Sequence, residues 1–117
     1  METETTAKYN ELRVVYVVEE TCQESYNLGA MNIHSTIFST ENAAKKYLKE
    51  RFREIKKASE SYDGYETSAE FIEGNRFEYS YVIKTNWHRG RLIFKDYTGV
   101  ILKYTLYGED ENEDKIQ

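Results

Sequence analysis

The chain has 117 residues, of which 39% are hydrophobic and 32% are charged, and its formal net charge is −5. This length suits one domain, and the composition is too apolar for a disordered chain. A single cysteine, Cys22, excludes an internal disulfide and a four-cysteine zinc site. Because no apolar run approaches about 18 residues, we expect a cytoplasmic protein without a membrane partner. The domain should span residues 1–117, with flexible ends at about residues 1–10 and 108–117.

Two strands are expected near the start of the chain. Residues 12–20 contain an unbroken run of β-branched and aromatic side chains, which predicts a central strand covered on both faces. Cys22 follows this run in a polar loop, where its thiol would be exposed. Residues 31–38 alternate, so that Met31, Ile33 and Ile37 share one face, with Ile33 in the core. The two runs are predicted to pair as an antiparallel hairpin.

The clearest helical pattern begins near residue 41 and should end near residues 59–61, before Gly64. Ser39 or Thr40 can cap the N-terminus, and Glu41 suits the first turn of a helix. Apolar side chains then recur at helical spacing and form one stripe. This stripe comprises Ala44, Tyr47, Leu48, Phe52 and Ile55. The opposite, basic face holds Lys45, Lys46, Lys49, Arg53, Lys56 and Lys57.

The remaining residues predict a short helix and three strands. The short helix covers residues 67–73, ends at Gly74, and places Glu66, Glu70 and Glu73 on one face. Strands follow at residues 77–84, 91–95 and 100–106, with turns at 86–90 and 96–99, where Gly99 can take a positive φ.

The predicted fold class is α+β. An antiparallel sheet of about five strands, in the order β-β-α-β-β-β, packs one main amphipathic helix on one face. Large apolar residues on the inward side of these elements should form the core. They are Val14, Tyr16, Val18, Ile33, Leu48, Phe52, Phe77, Tyr79, Tyr81, Leu92, Phe94 and Leu102.

No motif in the chain points to catalysis, a metal or a cofactor. The two histidines, His34 and His88, lack the spacing of metal ligands, and no glycine-rich phosphate loop is present. We therefore predict no catalytic residue, no metal and no cofactor. One enzymatic alternative remains, with Cys22 as a nucleophile activated by a histidine, or with two carboxylates that converge in a cleft.

The aromatic content is more informative, with eleven Tyr, five Phe and one Trp. Tyrosine and tryptophan are favoured at recognition surfaces. Tyr97 and Tyr107 fall outside the predicted inward pattern, although tyrosines also cover strand edges. The predicted hairpin tip at residues 87–91 adds a planar ring and two guanidinium groups. These groups can bind nucleic acid or an acidic groove on a protein, although the tip can also be a solvated turn. The candidate binding residues are Trp87, His88, Arg89, Arg91, Tyr97 and Tyr107.

Residues 14–18 (VVYVV) and 33–41 (IHSTIFSTE), followed by Ala43 and Ala44, carry a family resemblance. They resemble the opening of small uncharacterised ββα proteins of phage and mobile-element genomes, in which a strand ending in Phe-Ser-Thr leads into a helix beginning Glu-x-Ala. The resemblance covers about residues 13–50 and carries over no catalytic residue. It implies a small accessory protein, and phage inhibitors of bacterial defence systems belong to this kind.

Three functional hypotheses follow. The leading one is a non-enzymatic binding protein, a phage or mobile-element inhibitor of a bacterial defence system that occupies a partner protein's surface. Acidic segments at residues 61–75 and 108–117 would steer it towards a basic, nucleic-acid-handling partner. The alternatives are a small nucleic-acid-binding module that uses the basic helix face and the 87–91 tip, and the small enzyme described above. Either a monomer or a homodimer is compatible with the sequence.

Overall fold

The computed structural model of the chain describes residues 9–24, 31–62, 64–74, 78–87 and 94–109, apart from the side chains of Tyr9, Tyr65 and Trp87. Within these residues, five strands and one helix follow in the order β-β-α-β-β-β. They are β1 (Tyr9–Glu24), β2 (Met31–Phe38), α1 (Glu41–Glu60), β3 (Tyr65–Glu73), β4 (Tyr79–Trp87) and β5 (Phe94–Glu109). The predicted α+β class, with one helix on an antiparallel sheet, is confirmed.

All five strands belong to one antiparallel sheet with the spatial order β2-β1-β5-β4-β3. The long strands β1 and β5, of 16 residues each, pair along the centre. The pairing of β2 with β1 ends where Phe38 lies opposite Tyr16, and the pairing of β4 with β5 ends at Val100. Residues 9–15 and 104–109 therefore pair only with each other among the described residues, and we call them the ribbon. The ribbon includes residues 9–10 and 108–109, which were part of the two predicted flexible ends.

Helix α1 forms where the sequence predicts it. The side-chain oxygen of Thr40 accepts a hydrogen bond from the Ala43 amide at 3.2 Å, which caps the first turn. At the other end, the amide and hydroxyl of Ser61 both donate to the Ala58 carbonyl. The helix lies across one face of the sheet and contacts all five strands. We call the opposite side of the sheet the outer face.

The core lies between α1 and the sheet. Its buried members are Val18, Ala44, Leu48, Ile55, Tyr81, Ile83 and Ile101. Of the other residues predicted for the core, Tyr16, Phe52 and Tyr79 pack against these, while Val14, Phe94 and Leu102 are half-buried. Phe77 and Leu92 lie outside the described residues.

The predicted orientation of β2 is wrong. Ile33 is 64% exposed and Ile37 is 68% exposed, because both point to the outer face. Alternation divides a strand into two faces but does not say which face meets the core. Phe38 decides which face of β2 meets the helix. Its ring centre lies 5.1 Å from that of Tyr47 on α1, so the even-numbered residues of β2 point to the helix and the odd-numbered residues point away.

The predicted short helix at residues 67–73 is also wrong, since this segment belongs to strand β3. Phe71 points towards α1 and packs 5.4 Å from the ring of Phe52. Because strand side chains alternate, Glu66 and Glu70 lie on the outer face and Glu73 lies on the helix side. Glu73 forms an ion pair there with Lys49 at 2.8 Å.

The predicted turn at residues 96–99 is a third difference, because β5 continues through it without interruption. The predicted strand at 100–106 is part of this same strand. The other predicted turn, at residues 86–90, begins at the last residues of β4, and residues 88–93 lie outside the described part of the chain. Gly99 thus lies in the middle of a strand, where it has a different role that the next section describes.

Candidate binding surfaces and a buried polar cluster

The predicted binding residues do not all lie together. Tyr97 and Tyr107 belong to β5 but are ten residues apart, which is about 33 Å along a strand. Trp87 is the last residue of β4, at the same end of the sheet as Tyr97, and its side chain lies outside the described part. The other three predicted binding residues lie outside the described part of the chain; they are His88, Arg89 and Arg91.

Tyr97 points towards the helix side of the sheet, where it lies opposite Ile83 and Cys22. It lines an open cleft of about 260 Å³ beside the C-terminal half of α1, together with Arg51, Tyr62 and Lys95 among other residues. The Lys95 ammonium lies 5.4 Å from the Tyr97 ring and 3.0 Å from a Glu24 carboxylate oxygen. Hydrogen bonding to Tyr97 and then to Glu24 raises the pKa of Lys95. Carboxylates therefore already balance the positive charges of this cleft, because Arg51 too is paired.

Cys22 lies within β1 and is half-buried, rather than exposed in a loop. Burial raises the pKa of its thiol, Lys95 offsets part of this increase, and the carboxylates of Glu24 and Asp96 add to it. A raised pKa keeps the thiol protonated at neutral pH, whereas a nucleophilic cysteine needs a lowered one. This environment therefore gives the cysteine-enzyme alternative no support.

A buried polar cluster of Glu20, Tyr81 and Arg51 joins α1 to the sheet. Glu20 is 6% exposed, and its Oε1 accepts hydrogen bonds from the Tyr81 hydroxyl at 2.7 Å and from Arg51 Nε at 2.9 Å. Gly99 makes this arrangement possible, since it lies between Glu20 on β1 and Tyr81 on β4. A Cβ atom at Gly99 would collide with the Tyr81 ring, so the ring crosses β5 only because position 99 has no side chain.

The cluster has a structural role. Burial, followed by hydrogen bonding to Glu20, raises the pKa of Tyr81 far above its usual range, so the hydroxyl remains a neutral donor. Burial lowers the pKa of Arg51, but its hydrogen bond and ion pair with Glu20 raise it more. The other carboxylate oxygen, Oε2 of Glu20, is buried and has no hydrogen-bond partner among the described residues. Sequence reasoning missed this cluster because Glu20 resembled a strand-end surface residue and Gly99 a turn residue.

We expect Tyr81→Phe to lower the free energy of unfolding by about 1–3 kcal/mol, because the buried Glu20 loses a donor. Tyrosine in the unfolded chain ionises near pH 10, and Tyr81 in the folded protein ionises above this. Its stabilisation is thus complete below about pH 10 and decreases as the pH rises, by up to about 1.4 kcal/mol per pH unit. Urea titrations between about pH 8 and 11 should show a shallower alkaline decrease in Tyr81→Phe.

The exposed tyrosine Tyr62 provides the control for this experiment, since it is 66% exposed. Tyr62→Phe removes a tyrosine hydroxyl without removing the donor to Glu20, so it serves as the comparison. Identical profiles for the two variants would contradict a special environment for Tyr81. Lys95 also lowers the free energy of unfolding as the pH rises above the usual pKa of lysine, because its own pKa is raised in the folded protein. This contribution is the same in every variant.

The ribbon exposes large apolar side chains. Its exposed fractions are 66% for Leu12, 48% for Tyr104, 39% for Leu106 and 63% for Tyr107. The register between β1 and β5 shifts at Leu12, so this residue is the extra one of a β-bulge. Its side chain packs against the backbone of Gly108, where a Cβ would lie 3.0 Å from Leu12 Cδ1. Of this group, sequence reasoning singled out only Tyr107.

The helix face predicted to be basic is partly neutralised. Lys45 forms an ion pair with Glu41 at 2.7 Å and lies 4.1 Å from the Tyr79 ring centre. Lys49 is paired with Glu73 across to β3. Two of the six predicted basic residues are therefore occupied by local contacts, and a phosphate backbone would have to displace them.

The class that emerges from the described residues is an α+β protein whose sheet carries one helix on one face and ends in a ribbon with exposed apolar side chains. No group of three or more His, Cys, Asp or Glu side chains is placed to hold a metal ion in the described part of the chain. The helix found there is not long and apolar enough to cross a membrane. Comparison with family models, curated proteins and solved structures gives no match.

Proposed function

We propose that this protein is a non-enzymatic binding protein that docks onto a partner protein through its ribbon. The observation that carries the proposal is the exposure of Leu12, Tyr104, Leu106 and Tyr107 on two strands that extend beyond the rest of the sheet. A two-stranded ribbon is marginally stable in water, because few of its apolar side chains are covered. A partner that packs on the ribbon buries these side chains and can also pair with its strand edges.

The charges of the ribbon favour a protein as the partner. Among its residues, Glu11 and Glu109 are acidic and Arg13 is basic, so the surface has no positive excess. Binding to a nucleic-acid backbone needs clustered lysine and arginine, because it depends on phosphate neutralisation. The nucleic-acid-binding alternative depends instead on the basic face of α1, where Lys45 and Lys49 are already paired, and on the 87–91 tip, whose side chains lie outside the described part of the chain.

We also propose the more specific role of a phage or mobile-element inhibitor of a bacterial defence system. Its support is the resemblance of residues 13–50 to small proteins of those genomes, together with the acidic segments at 61–75 and 108–117. Acidic surface attracts basic channels of nucleic-acid-handling proteins and increases the rate of association. The expected result is that expression of the protein in a defended bacterium increases phage plating efficiency.

Tyr107→Ala should weaken binding of the partner by about 2 kcal/mol or more, because tyrosine is a frequent binding anchor. Its effect on the free energy of unfolding should stay below about 1 kcal/mol, since the side chain is 63% exposed. Tagged protein would be used to capture partners from nuclease-treated bacterial lysate, and the affinity for the captured protein would then be measured by calorimetry.

The matched control is Tyr62→Ala, which removes an equally exposed tyrosine next to the C-terminus of α1. We expect this variant to capture the same protein as the unmodified chain. If both variants lose partner capture equally, or if Tyr107→Ala binds the partner as tightly as the unmodified protein, the ribbon is not the docking site. Capture that disappears after nuclease treatment and decreases steeply with salt would support the nucleic-acid alternative instead.

A further inference from the structure

We propose that β2 is an interface between two copies of this chain. In this dimer the two β2 strands pair antiparallel about a two-fold axis and join the two sheets into one of ten strands. The proposal goes beyond the proposed function, because the ribbon consists of residues of β1 and β5 and does not include β2.

The first argument is the chemistry of the two sheet edges. Strand β2 (MNIHSTIF) is an edge strand of eight residues without Asp, Glu, Lys, Arg or Pro. Proteins usually protect such edges with charges, proline or a covering segment, because unpaired N–H and C=O groups recruit further strands. The other edge, β3, is protected in this way by Glu66, Glu70 and Glu73. Among the described residues, no strand covers the free side of β2.

The second argument is the apolar side chains of this edge. Met31, Ile33 and Ile37 point to the outer face and are 50%, 64% and 68% exposed, respectively. They share one face of an edge strand, so a further strand placed alongside would cover the two isoleucines. Large exposed apolar groups of this kind mark interaction surfaces.

The sequence of β2 is suited to pairing with itself. If Ser35 lies on the two-fold axis, Ile33 of one subunit faces Ile37 of the other, and the reverse contact follows from the symmetry. Directly opposite side chains on one face come within about 4.5–5.5 Å, which allows both isoleucine pairs to pack. On the helix side, His34 faces Thr36, so no pair of like charges arises.

A two-fold interface also explains why assembly would stop at two copies. Pairing of β2 with β3 of another copy would leave free edges at both ends and continue without limit. It would also place Glu66 and Glu70 beside isoleucines on the outer face, which costs carboxylate desolvation. Pairing of β2 with β2 avoids both problems and leaves the acidic β3 strands as the outer edges.

The test is the oligomeric state, measured by sedimentation velocity from about 1 to 300 µM, because a single-strand interface is small and its dimer is weak. We expect the unmodified protein to approach twice the monomer mass at the highest concentrations. Ile37→Lys should raise the dissociation constant at least about tenfold, since it places a lysine in the pair with Ile33. Ile72→Lys on the outer face of β3 is the matched control and should leave the dimer unchanged.

A disulfide tests the register independently of any loss of folding. In a Cys22→Ser/Ser35→Cys variant, the two introduced thiols meet at the axis and should form an intermolecular disulfide on mild oxidation. A protein that stays monomeric at every concentration, a dimer that persists in folded Ile37→Lys, or a dimer without this disulfide would each overturn the proposal. If the unmodified protein is monomeric and Ile37→Lys no longer captures the partner, then β2 binds that partner. This result would overturn the proposal that β2 binds a second copy of the chain. Tyr107→Ala should leave the dimer intact, so failure of this proposal and failure of ribbon docking give different results.

Discussion

Gly99→Ala is expected to lower the free energy of unfolding by about 2–5 kcal/mol, although alanine is normally the better strand residue. The added methyl group would occupy the space of the Tyr81 ring, which is fully buried and cannot move outwards. A displaced ring would also lose its hydrogen bond to Glu20 and leave a buried carboxylate with one donor fewer. Urea denaturation with circular dichroism detection measures the difference.

Two further variants separate this mechanism from a general effect of alanine in β5. In a Tyr81→Ala background the ring is absent, so Gly99→Ala should cost less than about 1 kcal/mol, and the two substitutions should be strongly non-additive. Gly108→Ala is the matched control, because the atom nearest to its new methyl group is the end of the exposed Leu12 side chain. Equal costs at positions 99 and 108 would contradict the placement of the Tyr81 ring.

Leu48→Ala should also lower the free energy of unfolding, by about 2–5 kcal/mol. Leu48 is completely buried in the middle of α1 and belongs to the core with Val18 and Ile101. Truncation leaves a cavity that the helix and sheet close only in part, and this adds to the lost apolar burial. A decrease at the lower end of this range would indicate that the helix and sheet close most of the cavity, and one at the upper end that they close little of it.

Lys46→Ala is a suitable control for this substitution, because Lys46 lies two residues away on the exposed side of α1. Its effect should stay within about 0.5 kcal/mol. An unchanged melting temperature in Leu48→Ala would mean that the apolar stripe of the helix does not face the sheet.

The helix could be predicted from the sequence because its determinants are local. Thr40 caps it, Leu48 lies in its apolar stripe, and Ser61 ends it, and all three act within a few residues of their position. Strand β3 could not be distinguished from a helix in the same way. Glu66 and Glu70 are four residues apart, a spacing that places side chains together on a helix and also on one face of a strand.

The proposed docking surface could be predicted from the sequence only in part, because it depends on pairing between distant segments. An excess of aromatic residues was enough to single out Tyr107. Leu12 and Leu106 became binding candidates only through the lengths of β1 and β5, which extend past their neighbours. The extent of such an overhang is a tertiary property that alternation within one strand does not contain. The exposed side of β2 was missed for the same reason.

The position of β5 has a consequence for the synthesis of the chain. This strand is the last of the described residues and lies in the centre of the sheet, where its Glu109 pairs with Tyr9, one hundred residues earlier. Until β5 leaves the ribosome, the β1–β2 hairpin and the β3–β4 hairpin share no strand, and the valine-rich side of β1 lacks its main partner. The sheet can therefore close only after β5 has been synthesised, and until then the nascent chain exposes an unpaired edge of β1, which favours aggregation.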